Sequence, residues 1–455
     1  MATVIFATNA LLPDGWARNV RVTQSDGVIV KVTSGTTAEA GDIRVSTLLP
    51  ALSNLHSHAF QRAMAGMTEH RIAGRDSFWT WRDLMYRFTR QLTPEQVEAI
   101  AAFVFMEMQE AGYAAVGEFH YLHHQPDGAP YGDMAELSAR ILAAADQTGI
   151  GLTHLPVLYT YGGAGAQPLA AGQGRFSNTV ERFAELLDAV RRAAQVLPAD
   201  TRVGIAPHSL RATNPADLAE VLSLANGNPV HIHVAEQPRE VADISAWLGA
   251  RPVEWLLHNA ALGPDWCLIH ATHMTAAETE NLARTGAVAG LCPITEANLG
   301  DGPFNGPGWL AAGGAFGLGS DSNVRISLTE ELRTLEYSQR LRDLARNILV
   351  NGEGSVGQAL YTGAALGGAQ ALGRKAGQIA AGHLADLTAI DADHPTLCAL
   401  RPDQLLDGLA FAATDQVVTD VWSAGRHRVQ GGRHVHRDAI VAGWRQAVAG
   451  LLASV

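Results

Sequence analysis

Thr93-Pro94-Glu95-Gln96, closed by Gly112 and followed at once by Ala114-Ala115-Val116-Gly117-Glu118-Phe119, is one complete helix-to-strand unit. Threonine caps the helix, proline occupies a first-turn position where no N–H is missed, and Gln96 can return a hydrogen bond to the cap. Glycine stops the helix and a short apolar run follows. The scheme recurs along the chain. Asp133 with Glu136 opens a helix ending at Gly149, and Asn214-Pro215 opens another. Thr275 with Glu278 opens one ending at Gly286, and Ser327 with Glu330 opens one more. Between the helices lie eight short apolar runs, at 48–54, 114–119, 151–158, 203–206, 230–234, 267–269, 287–291 and 316–319. Strands alternating with helices read as parallel βα units, and eight of them close most economically into a (β/α)8 TIM barrel. The competing open sheet calls for a glycine-rich phosphate turn after its first strand, and none is present.

The two ends have a different texture. Short β patterns with glycine turns, such as Gly27-Val28-Ile29-Val30 and Val421-Trp422-Ser423-Ala424-Gly425, fill residues 1–47 and 376–437. We expect one small β-sandwich-like domain built from both ends, a barrel over 48–375, and a C-terminal part over 376–455 that finishes in a helix at 438–454. The 455 residues suit one large barrel with a smaller companion.

Composition narrows the function. A net charge of −12 disfavours nucleic acid and anionic membrane as partners. A small anionic substrate would have to be bound by local arginines against that field. Cys267, Cys292 and Cys398 are far apart and form neither a disulfide framework nor a thiolate zinc motif. With no basic leader before the first apolar stretch and no run long enough to span a bilayer, the expectation is a cytoplasmic protein.

The chemistry sits at strand ends. His56 and His58 are two apart after the first barrel strand, so both imidazoles can point to one side. His233 ends the fifth strand, His270 the sixth and Asp321 the eighth. The C-terminal ends of barrel strands converge on one face. Imidazoles with a carboxylate there suit a divalent metal, with Zn²⁺ the first expectation and Fe²⁺ also acceptable.

The pattern Asn54-Leu55-His56-Ser57-His58, then His233 with Glu236, then His270, then Ser320-Asp321, resembles the amidohydrolase superfamily. The phrase Gly377-Gln378-Ile379-Ala380-Ala381-Gly382-His383-Leu384-Ala385-Asp386-Leu387 resembles that superfamily's entry into its small β domain. The resemblance implies His56, His58, His233 and Asp321 as metal ligands. Two-metal members bridge their ions with a carboxylated lysine on a barrel strand. The only lysines here are Lys31 and Lys375, neither expected on such a strand, so one ion is expected. A bound ion would make hydroxide from water near neutral pH. Glu236, three residues beyond His233, is placed to move a proton to a leaving nitrogen, as in the deaminase branch. Its bland alternative is a first-turn glutamate at a helix N-terminus. His270 and Asp321 complete the expected catalytic set.

Several loop phrases are also similar to those of deiminases in this superfamily that act on formimino dicarboxylates. They are His58-Ala59-Phe60-Gln61, Asp76-Ser77-Phe78-Trp79-Thr80-Trp81-Arg82, Phe119-His120-Tyr121, His208-Ser209-Leu210-Arg211 and Thr295-Glu296-Ala297-Asn298-Leu299-Gly300-Asp301-Gly302. That resemblance implies hydrolysis of N-formimino-L-glutamate to N-formyl-L-glutamate and ammonia, in histidine breakdown, by a homo-oligomer, with a dimer the expectation. Arg82 and Arg211 become the candidates for the substrate carboxylates, and Gln61, Tyr121 and His208 for the polar remainder of the pocket. An arginine among aromatics can instead simply stack on Trp79 or Trp81. The alternatives are a deaminase of another small amidine or a guanine-like heterocycle, and a non-catalytic binding protein on the same fold.

Overall fold

The computed structural model describes residues 2–70, 77–170 and 172–452. Among the described residues seventeen strands fall into two sheets, with one short pairing off the main path. The first four are β1 (Thr3–Leu12), β2 (Gly15–Ser25), β3 (Val28–Thr33) and β4 (Ile43–Pro50). The barrel strands follow as β5 (Leu52–Ser57), β6 (Tyr113–His120), β7 (Gly151–Leu158), β8 (Arg202–Val203), β9 (Ala206–Pro207), β10 (Val230–Val234), β11 (Trp266–His270), β12 (Val288–Leu291) and β13 (Ala315–Leu318). The last four are β14 (Leu387–Ile390), β15 (Val418–Ser423), β16 (Arg426–Gln430) and β17 (Arg433–His434).

All barrel pairings are parallel. Strands β10 to β13 pair in order, β13 joins β5 at Leu318–Asn54, and β5, β6 and β7 pair onward to β8 and β9. Bridges from Ile205 to Val230 and from Ser209 to His233 bring the remaining edges together. The small sheet runs β17-β16-β15-β14-β4-β1-β2-β3, with β4 paired to β14 antiparallel. Both chain ends therefore share one sheet.

Two expected strands are broken. The apolar run at 48–54 is the end of β4 and the start of β5, separated at Ala51, whose N–H donates to the Asp386 carbonyl at 3.0 Å. Pro50 supplies no N–H to continue a ladder, and the chain changes sheets there. The run at 203–206 is likewise split into β8 and β9. A Cβ on Gly204 between them would lie 2.4 Å from the Pro229 carbonyl oxygen.

The local caps act as read. Thr93, Asn214, Thr275 and Ser327 each accept a backbone N–H at the start of helices Pro94–Glu110, Pro215–Leu222, Ala276–Ala283 and Leu328–Asp343. Asp133 differs. Its carboxylate takes the Ala135 N–H at 2.9 Å in a preceding turn, and the helix begins at Glu136. The terminal helix spans Arg437–Leu452, and Trp444 stacks on Phe103 with ring centres 4.4 Å apart. Residues 453 and 454 of its expected range lie outside the described residues, as does Asp76. Lys31 lies on β3 and Lys375 follows helix Val356–Ala371, so neither is on a barrel strand.

Candidate active site

At the C-terminal end of the barrel, one ligand atom from each of His56, His58, His233 and Asp321 lies within 4.8 Å of the others, and all four residues are buried. Asp321 Oδ1 is 3.3 Å from His56 Nε2 and 3.2 Å from His58 Nε2. His233 Nε2 is 3.1 Å from His56 Nε2. Hydrogen bonds orient two of the rings. His58 Nδ1 meets the Phe119 carbonyl at 2.8 Å, and His233 Nδ1 meets the His208 carbonyl at 3.0 Å. A proton on each Nδ1 leaves each Nε2 with its lone pair toward Asp321. Burial drives the His56 imidazole down to about 3 and holds His233 well below its usual value, so both stay neutral. Facing lone pairs beside a buried carboxylate fit a divalent cation between them.

The backbone beneath is tightly tied. His56 and Asp321 exchange strand-end hydrogen bonds, Asp321 N–H to the His56 carbonyl and His58 N–H to the Asp321 carbonyl, both 2.9 Å. Asn54, Ser320, Asn323 and Ser57 form a buried side-chain chain across the same strand ends. A Cβ on Gly319 would lie 2.8 Å from the His56 Cβ, so only glycine permits this approach. Non-glycine residues with positive φ cluster here, at Ala235 (50°), His270 (68°), Ala271 (46°) and Asp321 (45°). Such strain persists where the surroundings over-determine the geometry.

His270 Nε2 faces the cluster, 4.0 Å from Asp321 Oδ2 and 3.9 Å from Glu236 Oε1. Burial opposes charge on its ring, but the Glu296 hydrogen bond at 3.2 Å and the nearby Glu236 and Asp321 carboxylates outweigh it and push it up to about 10. Glu236 Oε2 accepts from Arg211 Nη2 at 2.8 Å. Arg211 Nε is 3.9 Å from Glu240 Oε2. Glu240 in turn accepts the backbone N–H groups of Ala235 and Glu236 at 3.1 and 3.0 Å, which fastens the turn that presents Glu236.

One cavity joins His58, His233, Glu236 and Asp321 to Gln61, Arg82, Tyr121, His208 and Arg211. Gln61 Nε2 donates to the Tyr121 hydroxyl at 2.7 Å, and His208 Nδ1 lies 2.9 Å from Ser209 Oγ. The two arginines differ. Arg211 is engaged by Glu236, whereas Arg82 has only aromatic neighbours among the described residues, Trp79 at 4.6 Å and Tyr86 at 5.5 Å. Among the described residues the buried Nε of Arg82 has no hydrogen-bond partner.

Four participants are assigned no role by the sequence: Glu240, Arg239 at the rim, and Glu296 and Asp301, which the loop phrase at 295–302 contains. Asp301 accepts from Gln237 and is pushed up to about 9 by burial and by Glu236. Cys292 forms a second tight trio with His270 and Asp321. Burial and the Asp321 and Glu296 carboxylates push that thiol far up, so it stays protonated and is a poor competitor for a metal.

Residues 47–428 match the amidohydrolase family, and residues 2–46 match the formimidoylglutamate deiminase HutF N-terminal domain. The chain is 50% identical to a formimidoylglutamate deiminase of Pseudomonas aeruginosa, across 99% of this chain and 100% of that one. A 5-methylthioadenosine/S-adenosylhomocysteine deaminase of Natronomonas pharaonis is 28% identical over 86% of this chain and 81% of its own. Among solved structures, an amidohydrolase from Brucella melitensis superposes with a TM-score of 0.95 at 49% identity, covering 99% of this chain and 100% of that one. A zinc-bound adenosine deaminase from Xanthomonas campestris shares the fold, with a TM-score of 0.83 at 23% identity, covering 99% of this chain and 98% of that one.

Proposed function

The chain belongs to the amidohydrolase family, and from that premise we propose that it hydrolyses N-formimino-L-glutamate to N-formyl-L-glutamate and ammonia, a step of histidine degradation. The observation that carries this reading is the single cavity. It unites a buried three-imidazole, one-carboxylate cluster with Glu236 and with an arginine, Arg82, that has no carboxylate partner among the described residues. The 50% identity to a formimidoylglutamate deiminase over 99% of the chain supports the substrate.

His56, His58, His233 and Asp321 would hold one divalent ion, Zn²⁺ first and Fe²⁺ second by donor type. Two ions are disfavoured because neither lysine lies on a barrel strand. Such an ion supplies Lewis acidity that brings water toward hydroxide near neutral pH. The chain's own residues do the rest. Asp321 and His270 orient the attacking water against the formimino carbon. Glu236 takes the proton released from that water and passes it to the imine nitrogen; as the C–N bond breaks and the carbonyl forms, the proton of the added hydroxyl goes to the same nitrogen, which leaves as ammonia. Arg211 holds Glu236 at 2.8 Å and so sets the direction of that transfer. Arg82 takes one substrate carboxylate and the free face of Arg211 the other, while Gln61, Tyr121 and His208 bind the amidine-like group and backbone of the substrate.

The chain functions in the cytoplasm; no described helix is long and apolar enough to cross a membrane. It assembles as a dimer, for which the exposed apolar residues Tyr337, Leu341 and Leu344 offer a surface. The activity is tested by ammonia release from N-formimino-L-glutamate by metal-loaded protein. Equal or faster ammonia release from a guanine-like base would move the reading to another deaminase.

A further inference from the structure

Trp79 is shared by two guanidinium groups. Arg82 Cζ lies 4.6 Å from its ring centre and Arg239 Cζ lies 4.7 Å from it. Trp79 and Arg82 belong to helix Phe78–Thr89, whereas Arg239 is the second residue of helix Pro238–Leu248, three beyond Glu236. All line the cavity that reaches Asp321. Among the described residues the Arg239 side chain otherwise pairs with Asp243 Oδ2 at 3.5 Å, an ion pair along its own helix. Among the described residues Arg82 has no ion-pair anchor, and its place is set by aromatic rings.

We propose that Arg239 is a positioning residue for substrate binding: through Trp79 it holds helix Phe78–Thr89 against the turn that carries Glu236, and thereby sets where the Arg82 guanidinium meets a substrate carboxylate. An aromatic face attracts a cation and orients it without neutralising it. Arg82 keeps its full charge for a ligand, which an ion pair in that place would consume. A forked guanidinium–carboxylate contact is sensitive to geometry, so a helix allowed to drift loses affinity before it loses chemistry. The Arg239 side chain is 66% exposed, so its truncation opens no buried hole and should leave stability intact. The inference rests on the dicarboxylate reading above.

The test pairs turnover of N-formimino-L-glutamate with calorimetric binding of glutarate, an unreactive dianion. Arg239→Met should raise KM and the glutarate Kd about two- to fivefold, the worth of an exposed cation–π contact, with kcat within about twofold of wild type. Trp79→Leu should weaken both more. In the Trp79→Leu background, adding Arg239→Met should change nothing further, because the path through the ring is already cut. Multiplying losses in the double variant would mean that Arg239 acts as a bare rim charge and would overturn the proposal. So would an unchanged glutarate Kd in Arg239→Met. A wild type that binds glutarate and shows these effects yet releases no ammonia would sink the activity reading and leave the positioning role standing.

Discussion

Replacing Arg211 by methionine should damage the protein in a way that replacing Arg82 does not. The Arg211 guanidinium lies 2.8 Å from Glu236 and 3.9 Å from Glu240, with side-chain exposures of 10%, 6% and 0% respectively. Burial pushes the Glu240 carboxyl up while Arg211 opposes it. Methionine fills the space but removes the guanidinium shared by two neighbouring buried carboxylates, leaving Glu240 without its countercharge and Glu236 with only His270 at 3.9 Å. Breaking a buried pair in this manner costs about 3–5 kcal/mol. Unfolding entropy near 2 cal/mol/K per residue gives ~1 kcal/mol/K for a chain of 455 residues. The melting midpoint should therefore fall by ~3–5 °C. Among the described residues Arg82 meets only rings, worth ~0.5–2 kcal/mol, so Arg82→Met should shift the midpoint by less than ~2 °C. Kinetics should separate the pair as well. Arg211→Met frees Glu236 and lowers kcat as well as kcat/KM, the latter by roughly ten- to hundredfold or more if a charge-assisted bond of ~1.5–3 kcal/mol is lost. Arg82→Met should act mainly on KM, and far less on an uncharged formimino analogue. Thermal scans of metal-loaded protein at matched rates, with ammonia-release kinetics, read both quantities. If the two variants melt together and share one kcat, the Arg211–Glu236 pair neither stabilises the fold nor positions the proton carrier, and the reasoning fails.

Metal analysis of active protein should return about one divalent ion per chain. Removing His56, His58, His233 or Asp321 should lower that occupancy, and two tightly bound ions both needed for turnover would contradict it. Glu236→Gln should retain metal and lose roughly two to four orders of magnitude in kcat; near-normal turnover would reduce Glu236 to a helix-end residue. Burial raises the Glu118 carboxyl from 4.5 to about 7, against its hydrogen bond from the Ala59 N–H at 2.7 Å. The folded state thus holds that proton more tightly than the unfolded chain, so this group's contribution is fully present below pH ~4.5 and is lost as pH rises through ~7. Melting of Glu118→Gln against wild type should show the variant gaining on wild type across that window, by an amount on the order of 3 kcal/mol at ~1.4 kcal/mol per pH unit. Parallel pH profiles would rule the shift out.

Much of the site was legible because its signals are local. The caps at Thr93, Asn214, Thr275 and Ser327 need only a side chain within three residues of an orphan N–H. His56 and His58 share a face because strand side chains alternate. His233 lies at the end of β10 and Asp321 just beyond β13, and strand ends of a barrel meet at one mouth whatever the loops do. Arg82, Tyr121, His208 and Gln61 line the resulting cavity with Glu236. Sequence also showed that no lysine would reach a barrel strand, since residue identity and strand register suffice for that. The break at Ala51 was hidden, because the apolar run 48–54 is continuous and only the pairing of β4 with β14 assigns its first half to the other sheet. Likewise, Arg211 reads as a free cation until folding brings the loop after β9 against the turn after β10 and Glu236 takes one of its nitrogens. Glu240 and Arg239 carry no periodic or motif signal, and the loop phrase that contains Glu296 and Asp301 gives neither a role; their contacts with Arg211, Trp79, His270 and Gln237 cross separate elements. Composition, capping and strand period are short-range constraints written in adjacent residues. Which buried charge neutralises which, and which ring a guanidinium rests on, depends on distances of a few ångströms between segments tens of residues apart, and only the closed barrel sets them.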